Sequence, residues 1–448
     1  MGKPYFIRLL FALACLTYFC SGIQLNIVTI SASSNAGSGV EPMQSAFAVA
    51  MEDMIIKYPR LYQNHTRTNL TLKENVCKDY EWTFPSNVSS WYGKGYFDRP
   101  GLTIILTSIC NLVASYIGDF AREMAIPTMA CATGFPDNPR YSTVISLSPG
   151  SIQNYAQALV TLMKMNNWTY ISLIHDNLTG VVEAGRPVAI TTMFRQVFNA
   201  NLKIVNCKYF TTDSVTSSVD DLRYVMTQAS QHSRLIIIST LTIPMRKLLA
   251  AAYDLNMTNG DYVFFCIYTW QVPGEAPLTW NKNDSLDAKV LAVMKSVIIL
   301  TSPLTNWPRW NETGVRVNRF RERTFNTSYD EEKIYNDFAI TCYGAAELIS
   351  QVLDEILTED HIPEDGKAFT YDANFSPQQL IQRVSHRTNQ LTFENITFVP
   401  GSGWRVPDII LQQFNTTTNS FDVRYFSHFK YYSQYYTVAF LTGYYYSV

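Results

Sequence analysis

Leu102 to Thr133, LTIILTSICNLVASYIGDFAREMAIPTMACAT, reads as one strand, one helix and a second strand. Leu102 to Thr107 is a continuous apolar, β-rich run, the pattern of a strand buried on both faces, for which parallel pairing is the expected setting. From Asn111 the period turns helical. Val113, Tyr116, Ile117, Phe120, Ala121 and Met124 fall on one stripe, with Ser115, Asp119 and Glu123 on the other. Pro127 stops the helix and opens the next strand. A crossover this short implies a right-handed, open α/β sheet whose ligand crevice lies at the carboxyl ends of the strands. Here that edge carries Thr107 to Cys110 and Cys131 to Thr133.

Outward from this unit the alternation continues. Before it stand a strand at Leu25–Ile30, a helix over Val40–Lys57 and a less regular, sequon-rich stretch from Tyr58 to Arg99. After it, Tyr141–Pro149 is extended, and strand and helix signals then alternate: helix 154–165, strand Tyr170–Asp176, helix 187–199, strand Leu202–Phe210, helix 217–230, strand Arg234–Leu241, helix 243–256 and strand Tyr262–Trp270. Helix 287–296 and strand 297–303 lead to three helices, near 314–325, 335–357 and 377–391, and to short strand-like segments at 393–399, 408–414 and 421–429. The fold class is therefore α/β, with two doubly wound parallel-sheet lobes joined by a hinge around a central cleft. The expected division is 1–22 signal peptide, 23–145 first part of lobe 1, 146–300 lobe 2, 301–430 the return to lobe 1 with closing strands, and 431–448 an aromatic tail.

Composition narrows the function. The 448 residues exceed one ordinary domain, and 47% apolar content supplies ample core. With 35 basic against 37 acidic residues there is no polycationic field for nucleic acid. Lys3 and Arg8 precede an apolar run from Leu9 to Phe19, followed by the small Ser21 and Gly22, the order of a secretory signal. Asn-x-Ser/Thr sequons at Asn64, Asn69, Asn87, Asn167, Asn177, Asn256, Asn283, Asn311, Asn326, Asn395 and Asn415 agree with export and glycosylation, and place the chain as secreted or at the cell surface. Six cysteines outside the signal (Cys77, Cys110, Cys131, Cys207, Cys266 and Cys342) suggest disulfides in an oxidising compartment, in any of fifteen connectivities. Burial as a plain thiol is the alternative for Cys266 and Cys342. No C-x-x-C spacing points to a metal, no motif to a cofactor, and no stretch after residue 22 reaches a membrane span.

No hydrolase nucleophile elbow, zinc-protease helix, phosphate-binding loop or kinase motif is present, so no catalytic residue is expected. His175 and Asp176 end a strand at the expected crevice and read as a ligand contact or surface turn rather than as a base with its acid. The strand-end residues expected to line a ligand are Ser31, Ser33, Ser34, Ile109, Thr133, His175, Asp176, and the aromatics Tyr268 and Trp270. Six aromatics between Trp82 and Phe97 suggest either an interface, with Tyr92 and Tyr96 its open side, or cover for the first lobe's core.

The run Ile104 to Thr128, with its strand, cysteine, helix and Ile-Pro, followed by YSTVISLSPGSIQNYAQALVTLMKMNNWTYISLIHD, resembles the extracellular ligand-binding region of receptor-type guanylate cyclases and natriuretic peptide receptors, nearest to nematode members. The resemblance spans about Leu25 to Phe429 and implies the type I periplasmic-binding-protein fold, a peptide or small-molecule ligand and a working dimer, either with itself or with a related receptor. It implies a first disulfide between Cys77 and Cys110. Thr107-Ser108-Ile109-Cys110 stands where the family usually has Gly-Pro-x-Cys, so the resemblance leaves open whether the chloride of that turn is kept. Ser146 replaces a common arginine, and Ser239 stands where a partner for Cys207 is expected, so that bond is expected to be absent. The family's membrane helix, kinase-like region and cyclase domain have no counterpart in these residues. The reading is therefore a receptor's ligand-binding module without cyclase activity. Its rivals are a secreted α/β hydrolase and a partner or decoy that pairs with a full receptor and binds nothing.

Overall fold

The computed structural model describes residues 24–32, 39–72, 80–108, 111–131, 139–148, 152–181, 185–269, 278–302, 307–328, 330–359, 376–406, 408–428 and 439–440. The expected signal peptide, Cys77 and Cys110 lie outside them. The chain divides into two compact units, residues 1–148 with 306–405, and 149–305 with 406–448.

In the first unit, β1 (Gln24–Ala32), β2 (Asn64–Leu72), β3 (Leu102–Thr107), β4 (Thr128–Ala130) and β5 (Val144–Ser146) form an all-parallel sheet in the order β2-β1-β3-β4-β5. Every residue of β3 is buried, as its unbroken apolar run requires. Val28 and Ile30 of β1 pack with Ile105 against α2 (Tyr80–Gly93) and α3 (Asn111–Glu123), joined by Trp91, Phe97, Ile117 and Ala121. The alternate residues Thr29 and Ser31 turn to the other face, where Gln44 of α1 (Val40–Lys57) meets them. The stretch expected to be irregular thus holds β2 and α2. Its pattern is weak because β2 is an edge strand with only Leu70 and Leu72 buried, and because Pro85 interrupts the helical sequence.

The return segment completes this unit. Helix α9 (Trp307–Phe325) begins seven residues before the expected start, with Pro308 in its first turn, and buries Trp310, Gly314, Val317, Asn318 and Arg321 along one stripe. Helix α10 (Asp337–Glu359) packs with α9 on α1. Asp53 of α1 accepts two bonds from Arg316 (2.7 and 2.9 Å) and one from Tyr343 (2.8 Å). Glu347, buried in α10, accepts from Lys57 (3.0 Å) and from both the backbone and hydroxyl of Thr392 (2.8 and 2.7 Å). Helix α11 (Pro377–Ser385) is capped by Ser376 and ends six residues before the expected Leu391. There the buried Asn389 donates to the carbonyls of Val384 and Ile396, binding the helix end to a hairpin of β11 (Thr388–Gln390) and β12 (Asn395–Thr397). A disulfide joins Cys131, after β4, to Cys342 of α10, both fully buried.

In the second unit, β6 (Tyr170–Asp176), β7 (Asn206–Thr212), β8 (Leu235–Ser239), β9 (Val263–Tyr268) and β10 (Val297–Thr301) are parallel in the order β7-β6-β8-β9-β10, the permutation seen in the first unit. The closing strands β13 (Asp408–Asn415), β14 (Ser420–His428) and β15 (Ala439–Phe440) extend this sheet antiparallel from β10. Helices α6 (Val219–His232), α7 (Thr242–Asp254) and α8 (Asp287–Met294) cover one face with a core that includes Met226, Leu248, Val293, Ile236, Phe264 and Ile299. Helix α4 (Ile152–Met165) packs on α5 (Gly185–Ala200), which lies on β6 and β8. Strand β7 starts at Asn206 rather than at Leu202, because α5 runs to Ala200 and Asn201 then caps it through Val197 O, leaving Leu202 in the turn with 71% of its surface exposed.

The Cys131–Cys342 bridge spans 211 residues of sequence. In the chain-entropy model a loop of that length contributes about 5 kcal/mol, the upper end of the usual range. The Cys131→Ala, Cys342→Ala double variant is expected to unfold at a clearly lower temperature in its first unit, and reductant is expected to lower wild type toward it. Coincident melting curves with and without reductant would contradict this.

Candidate functional site

Both parallel sheets reverse their strand order beside their first strand, between β1 and β3 and between β6 and β8, and the carboxyl ends there are where an open α/β sheet leaves room for a ligand.

At the first edge, Ser31 Oγ is buried and accepts from Gln44 Nε2 and Ser108 Oγ, both at 3.2 Å. Thr29 Oγ1 lies 3.0 Å from Gln44 Oε1 and 2.8 Å from Asn69 Oδ1, and Arg67 Nε donates to the same Asn69 oxygen at 3.0 Å. Ser108 is anchored by its backbone N–H on Ile30 O. The buried hydroxyl of Thr107 has no hydrogen-bond partner among the described residues. This edge offers hydroxyl and carboxamide groups with one cation, Arg67, at its rim, and no carboxylate or imidazole enters the contacts among the described residues. Of the residues expected here, Ser31 stands at the switch point, while Ser33, Ser34, Ile109 and Thr133 lie outside the described residues.

At the second edge, His175 is half-buried, with Nδ1 3.1 Å from Thr191 Oγ1. That hydroxyl is 3.3 Å from Ser239 Oγ, which donates to Pro187 O. Burial holds the His175 imidazole below its ordinary value, against the upward pull of Asp176 and of a hydrogen bond with Asn177. Asp176 is fully buried. It accepts from Ser214 N (2.9 Å), Ser214 Oγ (2.5 Å), Thr240 Oγ1 (2.6 Å) and Leu178 N (3.4 Å), so its carboxylate binds the protein's own turns together. The pair His175-Asp176 is therefore not a base with an orienting acid, because the acid is turned to other donors. Tyr268 packs in the hydrophobic core with Phe264 and Cys266 rather than forming an open platform, and Trp270 lies outside the described residues. Gln44, Ser108, Thr191, Ser214 and Thr240 enter these networks although they were not among the expected contacts. Ser108 and Thr240, hydroxyls directly after strands, carried a legible signal; Gln44, Thr191 and Ser214 are brought in only by packing.

Trp91 and Phe97 belong to the first unit's core, with Tyr96 packed against it under the Arg99 guanidinium, and Tyr92 remains 49% exposed. Cys207 is a free thiol, pushed up to about 12 chiefly by burial. It pairs with Ile171 at the start of β6, whereas Ser239 pairs with His175 at its end, so the two positions lie on opposite sides of β6 and at opposite ends. Cys266 is a free, buried thiol. Among the described residues no group of His, Cys, Asp and Glu could hold a metal, and no helix is long and apolar enough to cross a membrane.

Two outcomes follow from the second edge. Asp176→Asn keeps the volume but exchanges an acceptor for a donor facing hydroxyls and amides, and should cost roughly 2 to 3 kcal/mol, the scale of a charged hydrogen bond left unmade. Denaturant titration checks this, and an unchanged midpoint would refute the buried-hub assignment. For His175 the folded value lies below the unfolded one, so the unfolded chain binds the proton first. Its contribution favours folding above the ordinary histidine range and is withdrawn as pH falls through that range toward the folded value. His175→Gln should therefore flatten the loss of stability between neutral and mildly acidic pH, measured by thermal midpoints across that window.

Residues 44–398 match the family described as the receptor family ligand binding region. Atrial natriuretic peptide receptor 3 of Mus musculus is 22% identical over 278 residues, which cover 59% of this chain and 48% of that receptor. The Homo sapiens receptor of the same name is 20% identical over 277 residues, covering 59% and 47%. Atrial natriuretic peptide receptor 2 of Rattus norvegicus is 23% identical over 278 residues, 59% of this chain but 26% of the receptor. The chain thus spans about half the length of the type 3 receptors it matches. The likeness falls on their ligand-binding region, and with its two doubly wound α/β units and the family match over most of its length, this chain belongs to the receptor family ligand-binding region, a periplasmic-binding-protein-like fold of the natriuretic peptide receptor type.

Proposed function

We propose that the chain is the ligand-binding module of an extracellular receptor and that its ligand is a peptide. The observation that carries this reading is the family match over residues 44–398 together with likeness to receptors named for a peptide. The edge chemistry is in keeping with it. Hydroxyls and carboxamides at the first edge suit hydrogen bonding to amides, and no described cluster joins a nucleophile, a base and an orienting acid as a hydrolase needs. The module signals by occupancy rather than by chemistry of its own, and it works in pairs, with Tyr92 of α2 the exposed aromatic of the proposed contact surface.

The test uses the secreted glycoprotein and peptide fractions of extracellular fluid, with atrial natriuretic peptide as one defined probe. A ligand present at about a hundred times its Kd adds about 2.7 kcal/mol of apparent stability. A rise in melting temperature that disappears when the fraction is first digested with protease supports a peptide. A rise that survives digestion sinks the peptide in favour of a small molecule, and no rise from any fraction favours the non-binding partner. Sedimentation at tens of micromolar tests pairing: a dimer that Tyr92→Ala dissociates is expected, and a monomer throughout would overturn it.

A further inference from the structure

We propose that Asn177 carries an N-linked glycan that covers the carboxyl edge of the second unit's sheet, so that the half-buried His175 is shielded from ligand rather than exposed to it. The inference rests on the extracellular reading above and adds to it which strand-end edge a ligand does not use.

Asn177-Leu178-Thr179 is a sequon placed immediately after β6, the strand beside the switch point. Asn177 and Thr179 are both exposed, whereas Leu178 between them is fully buried. The turn is held rigidly. Asn177 N donates to Thr212 O at 2.9 Å, Leu178 N donates to the buried Asp176 carboxylate, and Val181 N donates to Leu178 O at 3.0 Å. Leu178 has φ 49°, a left-handed conformation that is unfavourable for a non-glycine residue and that the burial and hydrogen bonds of this turn sustain. Asn177 therefore leaves the sheet at a fixed position.

The Asn177 side chain is hydrogen-bonded to His175, and Asn177 is exposed, so the glycan acceptor stands beside the ring at the surface. Nδ2 is the atom that is glycosylated. In the transfer, Nδ2 forms a bond to the anomeric carbon of a lipid-pyrophosphate-linked oligosaccharide. The anomeric carbon–oxygen bond breaks, the lipid pyrophosphate leaves with the electron pair, and one Nδ2 proton is lost. A glycan attached there begins one side chain away from His175. Asn167 and Asn256 are arranged differently. Both adopt positive φ just after α4 and α7, the helix-end position where asparagine substitutes for glycine, and these helix ends feed the amino ends of β6 and β9. Glycans at those two sites project from the opposite edge.

The experiment takes the glycoprotein secreted by eukaryotic cells, maps site occupancy by intact glycopeptide mass spectrometry, and follows carbethoxylation of His175 by diethyl pyrocarbonate. His232, which contacts Asn206 at the start of β7 and so lies at the amino edge, is the internal reference. Wild type and Thr179→Ser, which keeps the sequon, should be occupied at Asn177 and react at His175 several-fold more slowly than Asn177→Gln, with His232 unchanged. Should Asn177→Gln not be secreted, trimming the folded wild-type glycoprotein with an endoglycosidase should speed His175 in the same way. Occupied sequons elsewhere with a bare Asn177 overturn this inference and leave the extracellular reading standing. An occupied Asn177 with equal His175 rates overturns the shielding. A secreted protein bare at every sequon overturns the inference, while a chain that never enters the secretory pathway overturns the extracellular reading with it.

Discussion

The first unit exists because α1 holds two distant pieces of chain on one face. Residues 149–305 leave to build the second unit, and residues 306–405 must then find the sheet again, which carries a closure entropy that grows with the length of the excursion. Three kinds of interaction offset it. Helices α9 and α10 bury their apolar stripes against α1. Asp53 of the first piece gathers Arg316 and Tyr343 of the return, while Glu347 of the return gathers Lys57 of the first piece and Thr392 further along. The Cys131–Cys342 bond then fixes α10 to the end of β4 covalently.

The same strand permutation in both units puts their switch points at equivalent places, but the two edges are chemically different. The first is a chain of serine, threonine and carboxamide contacts with the Arg67 guanidinium at its rim. The second centres on a carboxylate with no exposure, and a buried charge is tolerable only when its oxygens are well supplied with donors. Asp176 meets that condition by drawing Ser214 and Thr240 onto it. It is thereby committed to structure, and His175 is left without an acid to orient it.

Aromatic residues show a similar division of labour. Trp91 and Phe97, open in the sequence to either an interface or cover for the core, fill the first unit's core, and Tyr268 fills the second's. Large rings dominate burial energetics, so these three are used for packing, while Tyr92, which has no place in that core, stays open.

The sequence alone determined the alternation of strands and helices, because a strand buried on both faces has to be an unbroken apolar run and a helix on a sheet has to carry a stripe, as Leu102–Glu123 shows. It determined the polar strand ends too, since Ser31, His175 and Asp176 interrupt apolar runs where the strands stop. Tertiary structure decided the rest. Edge strand β2 has little to bury and so leaves little pattern. The end of α11 is set by Asn389 reaching across to Val384 and Ile396, the pairing of Cys131 with Cys342 by α10 returning beside β4, and the sequestration of Asp176 by Ser214, which lies 38 residues further along the chain. In each case the deciding contact joins residues that local periodicity cannot relate, because it is formed only when separate pieces of chain are packed together.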